Sequence, residues 1–303
     1  MAARGQQSMP VIGVLDSYGD TAVLPAFRDG LSESGYTVGG NVVLDVRSTD
    51  QYDRLPVLAA DLVSDHPKVL VAVDGPSARV AKATTATIPI VFSVGGDPVA
   101  LGLVSDIAHP SGNITGVTFF SAQLLQKQVG LMHELFPKAR TFGVLADPQN
   151  PRAVTDLVSV RVAADSIGIE IHVVNAVAKT DFEEAFTELQ SRHIDTLLVL
   201  GDPLTARERG RIAELALRYE LAAMMFMRRF AESGGLISYG ASDLEAERQA
   251  GRYAGRILRG ERPGELPVLQ PTKFDLVINL KTAKALGLTI PPGVLAIADE
   301  VIE

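Results

Sequence analysis

The chain has 303 residues, a length that sets a prior of two domains of roughly 100–150 residues each. Lys and Arg total 28 against 36 Asp and Glu, a formal net charge of −8, which argues against the clustered basic surface of a nucleic-acid binder. With 47% hydrophobic and 21% charged residues the composition is that of a globular protein rather than a disordered one, and no apolar run is long enough to span a membrane.

Short β-branched runs alternate with amphipathic stretches, the pattern of an open parallel sheet. Val11–Leu15 predicts a strand, Thr21–Ser34 a helix closed by Gly35, and Val42–Val46 a second strand. Helices are expected at Leu55–Ser64, Ser77–Thr84 and Val99–Ile107, with strands at Val69–Val73, Ile90–Ser93 and Ile114–Thr118. The pattern then restarts: helix Ala122–Leu135, strand Phe142–Leu145, helix Arg152–Ile167, strand Glu170–Val174. Helix Phe182–Ser191, strand Thr196–Leu200, helix Leu204–Tyr219 and strand Ala222–Met227 complete a second array. A strand at Leu236–Tyr239, a helix at Leu244–Arg259 and an extended Phe274–Asn279 follow. Gly260–Pro271, rich in Pro and Gly, reads as a linker, and Lys281–Glu303 as a helical tail broken at Pro291-Pro292. The restart near residue 118 and the extra elements after 235 imply a chain that crosses between domains more than once.

The absent residue types narrow the chemistry. There is no Cys, so disulfides, thiolate metal sites and Cys nucleophiles are excluded. His66, His109, His133, His172 and His193 are scattered without metal-ligand spacing, and no Walker A loop, G-x-S-x-G elbow or G-x-G-x-x-G turn occurs. No metal and no cofactor are expected. Met1–Gln7 is polar and lacks the apolar core of a signal peptide, so it reads as a lead-in: either the stump of a removed leader or an ordinary cytoplasmic start.

Several strands end alike: Val73-Asp74-Gly75-Pro76-Ser77, Gly95-Gly96-Asp97-Pro98, Leu145-Ala146-Asp147-Pro148 and Leu200-Gly201-Asp202-Pro203, with Leu15-Asp16-Ser17 closing the first. In a parallel sheet these carboxyl ends share one edge, where ligands bind. Asp before Pro caps the next helix, and a capped helix start still offers N–H groups and positive dipole to a ligand. Tyr18, Phe119-Phe120, Phe226 and Tyr239 also fall at strand ends, as ligand contacts or as packing. Arg228-Arg229 is either a carboxylate anchor or a solvated basic pair. The absence of Trp lowers a sugar ligand relative to an amino or aromatic acid.

The chain also resembles a known family. Pro10–Leu15, Gln51–Pro56, Ile88–Phe92 with Gly96–Val99, Gly112–Thr118, Gly234–Gly240 and Pro271–Ala283 carry the likeness, from Met9 onward. Together they resemble the ABC-transporter substrate-binding family whose better-known members bind tryptophan and related aromatic amino acids. The resemblance implies an α/β type I periplasmic-binding-protein fold: two Rossmann-like lobes with parallel sheets, joined by a multi-crossing hinge, with ligand in the inter-lobe cleft. Residues 9–118 plus 240–267 are expected to form the N-terminal lobe, and 119–239 plus 268–303 the C-terminal lobe. It further implies a periplasmic location, with the signal peptide outside this sequence, a membrane permease as partner, a monomer, no nucleic acid and no catalysis. The resemblance makes an aromatic amino acid or an aromatic or other organic acid the expected ligand. Thr118 is followed by Phe119-Phe120, where a polar residue is expected in the amino-acid binders, a departure that counts against an α-amino acid and leaves aromatic acids or other small organic solutes open. Ligand contacts are expected from Asp16, Ser17, Tyr18, Gly75, Pro76, Ser77, Gly96, Asp97, Thr118, Phe119, Asp147, Asn150, Asp202, Phe226 and Tyr239. Two alternatives stand beside this reading: a cytoplasmic α/β enzyme using Asp97, Asp147 or Asp202 as acid or base, and the ligand-sensing core of a regulator.

Overall fold

The computed structural model describes residues 9–19, 22–119 and 122–303, apart from the side chains of Ala122 and Gln123. Two compact units result. The first comprises Met1–Val94, Pro98–Thr118 and Leu244–Leu269, and the second Gly95–Asp97, Phe119–Asp243 and Gln270–Glu303. The chain therefore passes from one unit to the other at five points.

In the first unit, β1 (Val11–Asp16), β2 (Val43–Ser48), β3 (Val69–Ala72), β4 (Ile90–Val94) and β5 (Ile114–Thr118) form a parallel sheet in the order β2-β1-β3-β4-β5. This is a doubly wound order, with a switch point between β1 and β3. β3, β4 and β5 are buried throughout, as strands covered on both faces are, and they are apolar except for Ser93, Thr115 and Thr118 and the glycine Gly116. Edge strand β2 is only partly buried and carries Asp45 and Arg47. Helices α1 (Leu24–Glu33), α2 (Leu55–Ser64), α3 (Gly75–Thr84) and α10 (Asp243–Leu258) supply the cover. Of these, α1 and α10 meet where a Cβ on Gly30 would lie 1.9 Å from the Arg248 carbonyl oxygen.

The second unit repeats that order and extends it. Its strands are β6 (Thr141–Ala146), β7 (Glu170–Asn175), β8 (Thr196–Val199), β9 (Ala222–Met225), β10 (Ile237–Gly240), β11 (Asp275–Asn279) and β12 (Glu300–Ile302). They run β7-β6-β8-β9-β10, all parallel, and then β11 antiparallel to β10, with β12 parallel to β11. The helices are α4 (Ala122–Leu135), α5 (Ala153–Ser166), α6 (Phe182–Ser191), α7 (Pro203–Arg207), α8 (Arg209–Arg218), α9 (Arg228–Glu232), α11 (Leu280–Ala285) and α12 (Pro292–Ile297).

Four sequence expectations are corrected. Val99–Ile107 is a chain of turns, because Gly102 sits at φ +68° and the Leu103 N–H returns to the Pro98 carbonyl. The expected helix Leu204–Tyr219 breaks at Glu208 into α7 and α8. Gly260–Pro271 is more than a linker: Val268 joins the core of the first unit, and Leu269 accepts the Thr118 N–H at 2.8 Å beside β5. The tail is not helical throughout, since it ends in strand β12. Thr21 and Phe120 lie outside the described residues.

Candidate functional site

At the carboxyl edge of the first unit, Asp74 organises the expected residues. It caps α3 by accepting the Ser77 N–H at 2.7 Å, accepts the Ser77 hydroxyl at 3.0 Å, and accepts the Ser17 N–H at 2.7 Å. Gly75 and Pro76 open α3 behind it, and Pro in the first turn gives up no hydrogen bond the helix needs. Burial pushes the Asp74 carboxyl above its ordinary range, against the opposing pull of the Ser77 and Ser17 hydrogen bonds. Asp16, also buried, accepts the Tyr18 N–H and the Ser48 hydroxyl, each at 2.7 Å. Tyr18 is half-buried. Asp16, Ser17, Tyr18, Gly75, Pro76 and Ser77 thus form one set, whereas Thr118 ends β5 elsewhere on that sheet.

In the second unit β6 and β8 are neighbours, and their ends carry Asp147 and Asp202. Asp202 caps α7 in a reciprocal box with Thr205: its carboxylate accepts the Thr205 N–H at 2.9 Å, and its own N–H reaches the Thr205 hydroxyl. Asp202 is only 8% exposed. Burial pushes its carboxyl up to about 7, the Asp147 charge adds to the rise, and the Thr205 N–H and the Arg152 guanidinium oppose it. Asp147 accepts the Gln149 N–H, and Asn150 accepts the Arg152 N–H at 3.0 Å. Gly96 is buried and Asp97 is exposed in the Gly95–Asp97 excursion.

Arg152 ties this edge together. Its Nε donates to Asp156 at 2.6 Å and its Nη1 donates to the Gly95 carbonyl. Burial raises the Asp156 carboxyl, and the Arg152 charge opposes the rise. From sequence Arg152 reads only as the start of a helix, since neither Asp156 nor Gly95 forms a motif with it. Its spacing four residues before Asp156 is the one available signal. Arg228 and Arg229, by contrast, belong to α9, where Arg228 pairs with Glu232 and Glu300 and Arg229 with Asp243.

Beside these groups the second unit holds a cavity lined by Phe119, Leu124, Leu125, Gln128, Val199 and Phe226, closed by Gly95, Gly201 and Arg152. The empty space around it comes to about 350 Å³ with open solvent included, but the room inside for a water-sized group is only about 20 Å³, enough for about one water molecule. Phe119 and Phe226 stack there. Neither glycine has room for a side chain: a Cβ on Gly95 would meet the Phe119 ring at 2.7 Å, and one on Gly201 the Phe226 ring at 2.6 Å. Tyr239 lies on β10, outside this lining, but its carbonyl accepts the Gln128 carboxamide at 2.8 Å. No group of acidic and histidine side chains among the described residues is placed to hold a metal ion.

Two doubly wound sheets of the same strand order, each with buried polar groups at its carboxyl edge, define the type I periplasmic-binding fold of solute-binding proteins. The chain belongs to the ABC transporter substrate binding protein family, which it matches over residues 9–302. It is 26% identical over 263 residues to a tyrosine-binding protein of Clostridioides difficile, covering 86% of this chain and 75% of that one. It is also similar to a solved conserved domain protein of Vibrio cholerae, with TM-score 0.89, 29% identity and coverage of 97% and 99% of the two chains. A solved ABC domain in complex with L-Trp from Streptococcus pneumoniae gives TM-score 0.88 and 25% identity over 97% and 100%. Members of this family bind solutes and are not enzymes, which decides against the acid–base alternative for Asp97, Asp147 and Asp202. Among the described residues no helix is long and apolar enough to cross a membrane.

Proposed function

We propose that the protein is the extracytoplasmic, periplasmic solute-binding component of an ABC importer, working as a monomer with a membrane permease. Its proposed ligand is an aromatic amino acid or a related aromatic or organic acid. The observation that supports the ligand class is the aromatic wall of the second unit, where Phe119 and Phe226 meet three aliphatic side chains and the polar Gln128 and Arg152. An apolar cavity with a few polar groups at its rim is the usual form of a small-molecule site. The relatives named for tyrosine binding and for an L-Trp complex support the same class.

Ligand contacts are proposed at the fifteen strand-end positions expected from the sequence, with Phe119 and Phe226 on the apolar body. Ser77 has its hydroxyl committed to Asp74, so its contribution is to hold that carboxylate in place. A thermal-shift panel of aromatic and aliphatic amino acids, aromatic acids and sugars tests the proposal. Aromatic members are expected to raise the melting temperature in a dose-dependent way, as ligands that bind only the native state do. Stabilisation by sugars or aliphatic amino acids alone would overturn it.

A further inference from the structure

The outward face of α5 is out of keeping with the other surface helices. Ala153–Ser166 is apolar on both sides. Val160, Ala163 and Ala164 turn into the core of the second unit, yet Val154, Val158 and Val162 are 68%, 57% and 58% exposed. Their i, i+4, i+8 spacing keeps them on one stripe. By contrast α6 presents Glu183, Glu184, Thr187 and Gln190 to solvent. Among the described residues no other helix or strand carries more than one exposed large apolar side chain, and such single ones need no partner. β-branched residues also lower helix propensity, so a solvated face gives no reason for three valines. A helix apolar on both sides is one that is covered on both sides.

We propose that the Val154, Val158 and Val162 face of α5 docks the membrane permease of the importer, against an apolar and uncharged surface of that subunit. The inference rests on the proposed function and names the surface that serves it. Charge and area select this occupant. The exposed charges of α5 are Arg161 and Asp165, opposite in sign and four residues apart, so the face is neutral on a chain of net charge −8. A neutral apolar stripe offers nothing to a nucleic acid or an anionic headgroup, which basic side chains recognise. One face of this 14-residue helix is about 21 Å long and about 10 Å wide, on the order of 200 Å². A stable dimer needs roughly 800 Å² from each copy, so this face alone does not hold a second copy, whereas it suits a partner that binds and releases. The substrate-binding family of ABC transporters supplies such a partner in the membrane subunit, which must let go once solute is delivered. The helix is also rooted in the site, since its N-cap residue Arg152 lines the cavity two residues before Val154.

Photo-cross-linking from Val158→p-benzoyl-phenylalanine, in the full-length protein expressed in its own organism, tests this. Position 158 is expected to capture the membrane-spanning subunit of an ABC transporter, identified by mass spectrometry. Ile297→p-benzoyl-phenylalanine on α12, at a residue 63% exposed, is expected not to. Adding Val154→Lys and Val162→Glu is expected to abolish the capture. Both positions are exposed, so the melting temperature is expected to stay within about 2 °C of its value without them. Val154→Ala with Val162→Ala, which shortens the stripe and raises helix propensity, is expected to weaken the capture and keeps the test decisive should the charged pair unfold the protein. No permease captured from position 158, equal capture from position 297, capture of a second copy of the chain, or capture that survives both sets of changes would each overturn the inference. The thermal-shift panel separates it from the functional reading. If position 158 captures the permease and no aromatic solute stabilises the protein, the docking face stands and the ligand class falls. If aromatic solutes stabilise it but the permease is captured only from position 297, the solute-binding reading stands and this face falls.

Discussion

Phe119 and Phe226 stack with ring centroids 5.8 Å apart and planes inclined by 18°, joining the residue after β5 to the segment after β9. Stacked pairs of this kind contribute about 0.5–1.5 kcal/mol beyond the burial of their surface. Phe119 is buried, so Phe119→Ala is expected to destabilise the protein by about 3–5 kcal/mol through the cavity it leaves. A double-mutant cycle of Phe119→Leu and Phe226→Leu isolates the ring contribution in denaturant unfolding. A coupling of about 0.5–1.5 kcal/mol is expected, and strict additivity would contradict the stacking.

Asp202 gives a pH dependence whose sign follows from its position. Its native carboxyl titrates at about 7, against an ordinary value of 3.8, with Asp147 and Arg152 as the charged groups acting on it. As pH rises from about 4 to about 7, the unfolded chain loses its proton first, so the native state binds more protons and stability falls. Above that window the contribution is level. Asn caps a helix about as well as Asp, so Asp202→Asn keeps the α7 cap and removes the titration. The variant is expected to gain stability relative to wild type as pH rises across the window, by at most about 1.4 kcal/mol for each pH step of one. Asp74 and Asp156 are raised in the same direction and remain in both proteins. Unfolding curves that stay parallel between pH 4 and 7 would show that Asp202 is not the source.

Two helix glycines are expected to respond oppositely to alanine. A Cβ on Gly30 of α1 would reach the backbone of Arg248 on α10, so Gly30→Ala must part the helices and costs about 1–3 kcal/mol or more. Gly130 of α4 has nothing within 4 Å of its Cβ position, so Gly130→Ala is expected to stabilise by about 0.4–1 kcal/mol. Melting temperatures of the two variants moving in the same direction would contradict this.

The sheets were legible because their strands are short, β-branched-rich runs between Gly, Asp and Pro, and parallel strands buried on both faces are predominantly apolar. The edge positions followed from that topology: Asp16, Asp147 and Asp202 all come at strand ends, whatever their contact with ligand. Val99–Ile107 misled because its apolar spacing fits a helix while Gly102 takes a left-handed conformation. α9 is five residues long, too short to show a period. The polar members of the cavity were hidden for a different reason. Arg152 reaches Gly95 and Gln128 reaches Tyr239, partners set beside them by the fold and by no local spacing. For Gln128 one trace existed: it interrupts the apolar stripe of Leu124, Leu125, Val129 and Met132.

Isothermal titration calorimetry of L-tyrosine, L-tryptophan and L-leucine into wild type and Phe226→Ala tests the central claim most directly. Saturable binding of an aromatic amino acid by wild type, weakened tenfold or more in Phe226→Ala and absent or far weaker for L-leucine, is the predicted result; tenfold corresponds to about 1.4 kcal/mol, within reach of one lost aromatic contact. L-Leucine bound as tightly as the aromatic amino acids, or a Phe226→Ala protein that is folded and binds them with wild-type affinity, would contradict the assignment of this cavity to an aromatic ligand.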